Sequence, residues 1–136
     1  KNFILLVNSL EMLKEYVVNI HPRVETLLHY HHKPLTIIYP RTRNLPDYIL
    51  ANDQSAAIRI CNDLFCKELI HTIQRPLIST SANYSGITPP GNFSEIDEML
   101  FKEVDYTVTH RRKETSVANP SVLAKYDESG EMIFLR

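Results

Sequence analysis

Residues 79–86 form the densest group of side chains that could do chemistry. They spell S-T-S-A-N-Y-S-G, at the point where a short apolar strand is predicted to end. Hydroxyls, an amide and free backbone N–H groups suit phosphate or carboxylate oxygens, and ligands of open α/β sheets bind at such strand ends. Alternatively, these residues only close an Asx or Ser/Thr turn. The two interpretations make different predictions for Ser81 and Asn83.

Arg59 is a cation within an otherwise apolar strand. In the segment 56–60, alternation points Arg59 to the face opposite Ile58 and Ile60. A half-buried guanidinium needs an anionic partner, and its planar fork fits a carboxylate. The sequence alone leaves open whether that partner is a ligand, an internal Asp or solvent.

The histidines and cysteines carry weaker signals. His29, His31 and His32 crowd one segment, but no Cys or acidic ligand stands at a recognisable interval, so the sequence predicts no metal site. Cys61 and Cys66 lack C-x-x-C spacing, and we interpret both as packing residues.

Charge and motif content exclude several classes of protein. Fifteen Lys and Arg against sixteen Asp and Glu give a net charge of −1, so there is no global basic field for nucleic acid. Arg41, Arg43 and the run 110–113 are local basic spots that could touch phosphate or RNA, although a solvated loop is the commoner explanation. Glycine-rich phosphate loops and a visible Ser-His-Asp arrangement are absent from the sequence.

Strands alternate with helices early in the chain and pair locally late, which predicts an α/β fold with helices packed on a mixed sheet. The predicted strands are 3–7, 35–39, 56–60, 77–80, 106–109, 121–126 and 131–135. The predicted helices begin near Leu10, near Pro22, after Asn62 or Asp63, and near Ser94, and 81–93 is a loop. With 136 residues, 43% of them hydrophobic, we expect one domain over 1–136. Two cysteines, no signal peptide and no long apolar run predict a cytoplasmic protein without membrane contact.

Five segments in order resemble the YrdC/Sua5 family of threonylcarbamoyl-AMP synthases. The most specific is S-T-S-A-N-x-S-G within 76–86; the others are 33–40, 57–60, 119–123 and 133–136. The resemblance implies a YrdC-like twisted mixed β-sheet. It also implies that L-threonine, bicarbonate and ATP with Mg²⁺ give threonylcarbamoyl-AMP for the t6A37 modification of tRNA, completed by partner proteins.

By position, the resemblance implies that Arg59, Ser79 and Ser121 hold threonine. It also implies that five other residues lie along ATP: Ser55, Ser81, Asn83, Pro89 and Arg136. It assigns no catalytic residue and no metal ligand. Two alternatives remain: an RNA-binding relative without catalysis, and a nucleotidyl-transferring domain with another acceptor in place of threonine.

The chain departs from the family pattern in three places. The tryptophan-proline-glycine before the P-L-T element is His31-His32-Lys33 here, and a Ser-Thr pair is Ser121-Val122. The family's first strand, threonine-rich turn and Lys-x-Arg motif would precede Lys1. If the chain is a piece of a longer protein, we expect strand 3–7 to lack a sheet neighbour and the 136 residues alone to be inactive.

Overall fold

A mixed sheet of six strands organises the computed structural model, which describes residues 3–117, 119–127 and 129–135. The strands are β1 (Ile4–Val7), β2 (Leu35–Tyr39), β3 (Ala56–Ile60), β4 (Leu77–Ser79), β5 (Val122–Tyr126) and β6 (Met132–Phe134). Their order across the sheet is β4-β1-β3-β2-β5-β6, with β1 parallel to β3, β2 parallel to β5 and the other pairs antiparallel. Most of the predicted strands are therefore confirmed within a residue or two.

The helices are α1 (Leu10–Tyr16), α2 (Pro22–Tyr30), α3 (Leu64–Ile73) and α4 (Leu100–Glu103). Ser9 caps α1 by accepting a hydrogen bond from the Met12 N–H at 3.1 Å, and Asp63 caps α3 in the same way. Pro22 occupies the first position of α2, where its missing N–H costs nothing. Within the described ranges, no helix is long and apolar enough to cross a membrane.

Alternation along the strands divides the sheet into two faces. The larger core lies on one face, where sheet residues pack against α1 and α2; its most buried members are Leu5, Val7, Leu13, Val24, Ile37, Tyr39 and Ile58. The opposite face carries Leu6, Thr36, Arg59 and Ser79, and we call it the Arg59 face. On it, Leu6 packs with Cys61 and with Ile70 of α3. Each fully buried Leu or Ile contributes about 2 kcal/mol to folding, so both faces are held firmly.

Internal contacts divide the chain into two units. The first contains residues 3–79 and 121–135 of the described chain and holds the whole sheet with α1 to α3. The second, residues 80–120, contains a long loop, the 3₁₀ turn Phe93–Glu95 and α4. Within this second unit, the rings of Phe93 and Phe101 stack at 5.3 Å, and Arg112 lies over Phe93 at 5.2 Å.

Two predictions within the second unit are wrong. Residues 106–109 form no strand, because the guanidinium of Arg112 donates hydrogen bonds to the backbone carbonyls of Thr107 and Val108 that a strand partner would need. Ser94 does not begin a helix, since its hydroxyl donates to Asn92, which caps the 3₁₀ turn instead.

The expectation that strand 3–7 lacks a sheet neighbour is also wrong. β1 pairs with β3 on one side, with Ile4 opposite Ala57. On the other side it pairs with β4, where Ile4 lies opposite Ser79. The strand therefore has partners along both edges.

Candidate functional site

Arg59 lies on β3, between β1 and β2. Its register partners are Leu6 on one side and Thr36 on the other. The side chain is half-buried, and among the described residues it has neither an ion pair nor a hydrogen bond. A guanidinium held against a sheet face without an anion is poised for an incoming carboxylate or phosphate.

Two neighbouring hydroxyls lie on the Arg59 face, and one of them belongs to Thr36, the residue directly opposite Arg59. The oxygens of Thr36 and Ser121 are 2.8 Å apart, and both residues are buried, at 0% and 5% exposure. Ser121 directly precedes β5, whose parallel register sets Leu123 beside Thr36. The hydroxyl of Ser121 is therefore fixed by the pairing of β2 with β5.

Ser79 also lies on the Arg59 face, on the opposite flank of Arg59 from Thr36 and Ser121. It ends β4, is half-buried and pairs with Ile4, which pairs in turn with Ala57 of β3. Ser79 and Ser121 are each two strands away from Arg59, on opposite sides of it, and are displaced by two residues in opposite directions along the strands. Strand spacings of about 4.8 Å and rises of about 3.3 Å put either Cα about 12 Å from that of Arg59. Arg59 thus stands between two hydroxyls on one face, without direct contact to either.

Ser55 is buried at the start of β3 and belongs to an Asx turn. Its hydroxyl donates to the carboxylate of Asp53 at 2.6 Å, and its backbone N–H donates to the same oxygen at 3.1 Å. These bonds lower the pKa of Asp53. Because the hydroxyl proton of Ser55 is already used, the oxygen could only accept a hydrogen bond, for example from an adenine or ribose group.

Ser81, Asn83 and Pro89 belong to the second unit. The side-chain amide of Asn83 donates to the backbone carbonyl of Tyr84 at 3.1 Å and to that of Ile87 at 2.5 Å. The backbone N–H of Asn83 donates to the Ser81 carbonyl at 3.0 Å, so Asn83 closes the loop. Ser81 and Pro89 are exposed. Arg136 lies outside the described residues.

The histidines and cysteines noted in the sequence have structural explanations. α2 ends at Tyr30, so His29 and His32 do not share a helix face, and the described part of the chain contains no cluster of three potential metal ligands. Cys61 and Cys66 pack together in the small apolar cluster under α3, as predicted. Burial, followed by the neighbouring Cys61, raises the pKa of the Cys66 thiol to about 12.

Two arginines of the basic spots are used within the fold. Arg43 donates to the carbonyls of Lys14 and Glu15 at the end of α1, at 2.6 and 3.3 Å. Arg111, which belongs to the run 110–113, forms an ion pair with Glu114 at 2.8 Å. Cations that are engaged in this way offer little to RNA.

Thr36 was missed from the sequence. It is a hydroxyl within the apolar strand L-T-I-I-Y, and it is completely buried. The sequence shows that Thr36 stands between Leu35 and Ile37 and therefore points to the sheet face opposite theirs. What could not be seen was that antiparallel pairing of β2 with β3 sets Thr36 directly opposite Arg59.

Known proteins share this fold. A variant of Sua5 from P. abyssi superposes on the whole chain with a TM-score of 0.86 and 23% identity, over 41% of its own length. P. abyssi Sua5 complexed with L-threonine gives a TM-score of 0.77 and 22% identity, again over the whole chain and 39% of that protein. These likenesses confirm the predicted α/β architecture.

Sequence relatives carry the same signal. The threonylcarbamoyl-AMP synthase of Enterobacter sp. (strain 638) is 28% identical over 99 residues, which is 71% of this chain and 52% of that protein. The chain thus spans about half the length of this relative. A family model, Sua5_yciO_yrdC, described as telomere recombination, matches residues 1–136, and the chain therefore belongs to the Sua5/YciO/YrdC family.

Proposed function

We propose that this chain belongs to a threonylcarbamoyl-AMP synthase that joins L-threonine, bicarbonate and ATP with Mg²⁺. The observation that carries the proposal is the half-buried Arg59, which has no ion pair or hydrogen bond within the part of the chain that the structure describes and shares its sheet face with the buried hydroxyls of Thr36 and Ser121. The name of the Enterobacter relative and the threonine complex of P. abyssi Sua5 support it.

In this proposal Arg59 binds the carboxylate of threonine with its two-pronged guanidinium. Ser79 and Ser121 lie on opposite sides of Arg59, so a threonine bound to the guanidinium contacts one of them; we assign this contact to Ser121, whose oxygen is 2.8 Å from that of Thr36. Held in this way, the threonine amine adds to the carbon of bicarbonate with loss of water. An oxygen of the resulting carbamate then attacks the α-phosphorus of ATP, the α–β anhydride bond breaks and pyrophosphate leaves.

Contacts to ATP are proposed for Ser55, Ser81, Asn83, Pro89 and Arg136. Ser55 suits the base or ribose rather than the phosphates, because its proton is bonded to Asp53. The product would supply the t6A37 modification of tRNA, with further proteins completing the transfer. An RNA-binding role without catalysis has less support, since Arg111 and Arg112 of the basic run are engaged in local contacts.

Release of pyrophosphate by the full-length protein tests this function. We expect release that requires threonine and bicarbonate as well as ATP with Mg²⁺. Each omission serves as a control for contaminating ATPase activity. Release that is indifferent to threonine, or stronger with another amino acid, would contradict the proposal and favour a different acceptor.

A further inference from the structure

Thr36 lies between Arg59 and Ser121, two of the residues proposed to hold threonine. It lies directly opposite Arg59 in the β2–β3 pair, where facing Cβ atoms are about 5 Å apart. Its oxygen is also 2.8 Å from that of Ser121. No role follows for Thr36 from the family resemblance, and neither neighbour contacts the other.

The direction of the Thr36–Ser121 hydrogen bond follows from burial. Thr36 has 0% exposure, and its hydroxyl meets no other partner within the described ranges. A buried hydroxyl whose proton is unused carries a desolvation penalty. Thr36 is therefore the donor and Ser121 the acceptor, so Ser121 directs its own proton away from Thr36.

The packing around Thr36 makes this orientation rigid. A β-branched side chain on a strand has few χ1 rotamers, and the neighbouring strands β3 and β5 fix the backbone on both sides. The Thr36 hydroxyl can thus hold Ser121 in one orientation before a ligand arrives, which lowers the entropic cost of binding.

We infer that Thr36 is a positioning residue for threonine binding, which orients Ser121 as a hydrogen-bond donor on the Arg59 face. This inference rests on the proposed function. Thr36 itself does not touch the substrate. Its effect acts on the affinity for threonine and leaves the affinity for ATP and the chemical step unchanged.

Substitutions of Thr36 in the full-length protein test the inference. Thr36→Val keeps the shape and removes the hydroxyl, so we expect the KM for threonine to rise about tenfold, with kcat and the KM for ATP unchanged. Thr36→Ser keeps the hydroxyl and should restore a KM close to that of the wild type. Thr26→Val, which removes an exposed hydroxyl that bonds the Pro22 carbonyl on α2, is the matched control.

A double variant separates positioning from general stability. If Thr36 acts through Ser121, Thr36→Val should add nothing to the rise in KM caused by Ser121→Ala. Additive effects, equal damage from Thr36→Ser, or a lower melting temperature at unchanged KM would overturn the inference. A wild-type protein without threonine-dependent pyrophosphate release would instead overturn the proposed function, and the inference with it. Calorimetric titration with threonine provides a second readout of the same affinity.

Discussion

The oxygens of Thr36 and Ser121 lie 2.8 Å apart although 85 residues separate them in the chain. This contact forms only when β5 joins β2 in the parallel register that sets Leu35 beside Val122. A shift of one residue would turn Ser121 to the other face of the sheet. The geometry of the proposed threonine site therefore depends on correct pairing of the chain's two distant halves.

Replacing Arg59 by Lys should weaken threonine binding about ten- to a hundredfold. The change keeps the charge but loses the fork, and charge-assisted hydrogen bonds contribute about 1.5–3 kcal/mol. Arg23→Lys on α2, at an exposed site, is the control. Titration calorimetry measures both variants, and unchanged affinity in Arg59→Lys would remove Arg59 from the site.

Ser81→Ala and Asn83→Ala should have different effects on the second unit. Asn83 donates to two loop carbonyls, so its loss should lower both the melting temperature and the affinity for ATP. Ser81 is exposed, so its loss should weaken ATP binding at nearly constant stability. Thermal melts with and without ATP and Mg²⁺ distinguish these effects. If neither variant changes the affinity for ATP, the turn interpretation of residues 79–86 is the correct one.

Alkaline pH should destabilise the fold through Tyr39. Burial, with a smaller contribution from Tyr126, raises the pKa of Tyr39. Above about pH 10 the phenol ionises in the unfolded chain but not in the folded one. The free energy of unfolding should then fall by up to about 1.4 kcal/mol per pH unit from this group, whereas below pH 10 its contribution is fully present.

Denaturation by urea at pH 7 and between pH 10 and 11 measures this effect. Tyr39→Phe should be nearly as stable as the wild type at pH 7 and less sensitive to alkali. Tyr48→Phe, which removes a phenol that is 71% exposed, is the control. An unaltered alkaline slope in Tyr39→Phe would show that another group dominates it.

Gly130→Ala should unfold the hairpin between β5 and β6 locally or lower stability by about 3 kcal/mol. Gly130 has φ +79°, and a Cβ there would overlap the imidazole of His21, the N-cap of α2. Gly86 has φ +85° but open space around it, so Gly86→Ala should cost only about 1 kcal/mol of backbone strain. Chemical denaturation compares the two. Similar losses would mean that contact with His21 is unimportant.

Local chemistry allowed most elements to be predicted from the sequence. Proline at 22 starts α2, and Lys33-Pro34 precedes β2, because proline fits a first helical turn and disfavours helix before it. Residues 106–109 failed because alternation cannot reveal that Arg112 takes the carbonyls of Thr107 and Val108.

The candidate site was predicted less completely. The sequence shows that Arg59 interrupts an apolar strand and that the segment 79–86 is rich in hydroxyls. The pairing partners of the strands could not be predicted from the sequence, because parallel pairing of β1 with β3 and of β2 with β5 joins segments that are far apart in sequence. For this reason Thr36 became significant only when its neighbours on both sides were known.

The position of β2 between β3 and β5 also matters while the chain is being made. Ser121 leaves the ribosome 85 residues after Thr36, which corresponds to roughly 4 to 17 s at typical bacterial and eukaryotic synthesis rates. During that interval one backbone edge of this apolar strand has no native partner. Nascent chains that end before β5 should therefore be the species most prone to pair wrongly and to need chaperones.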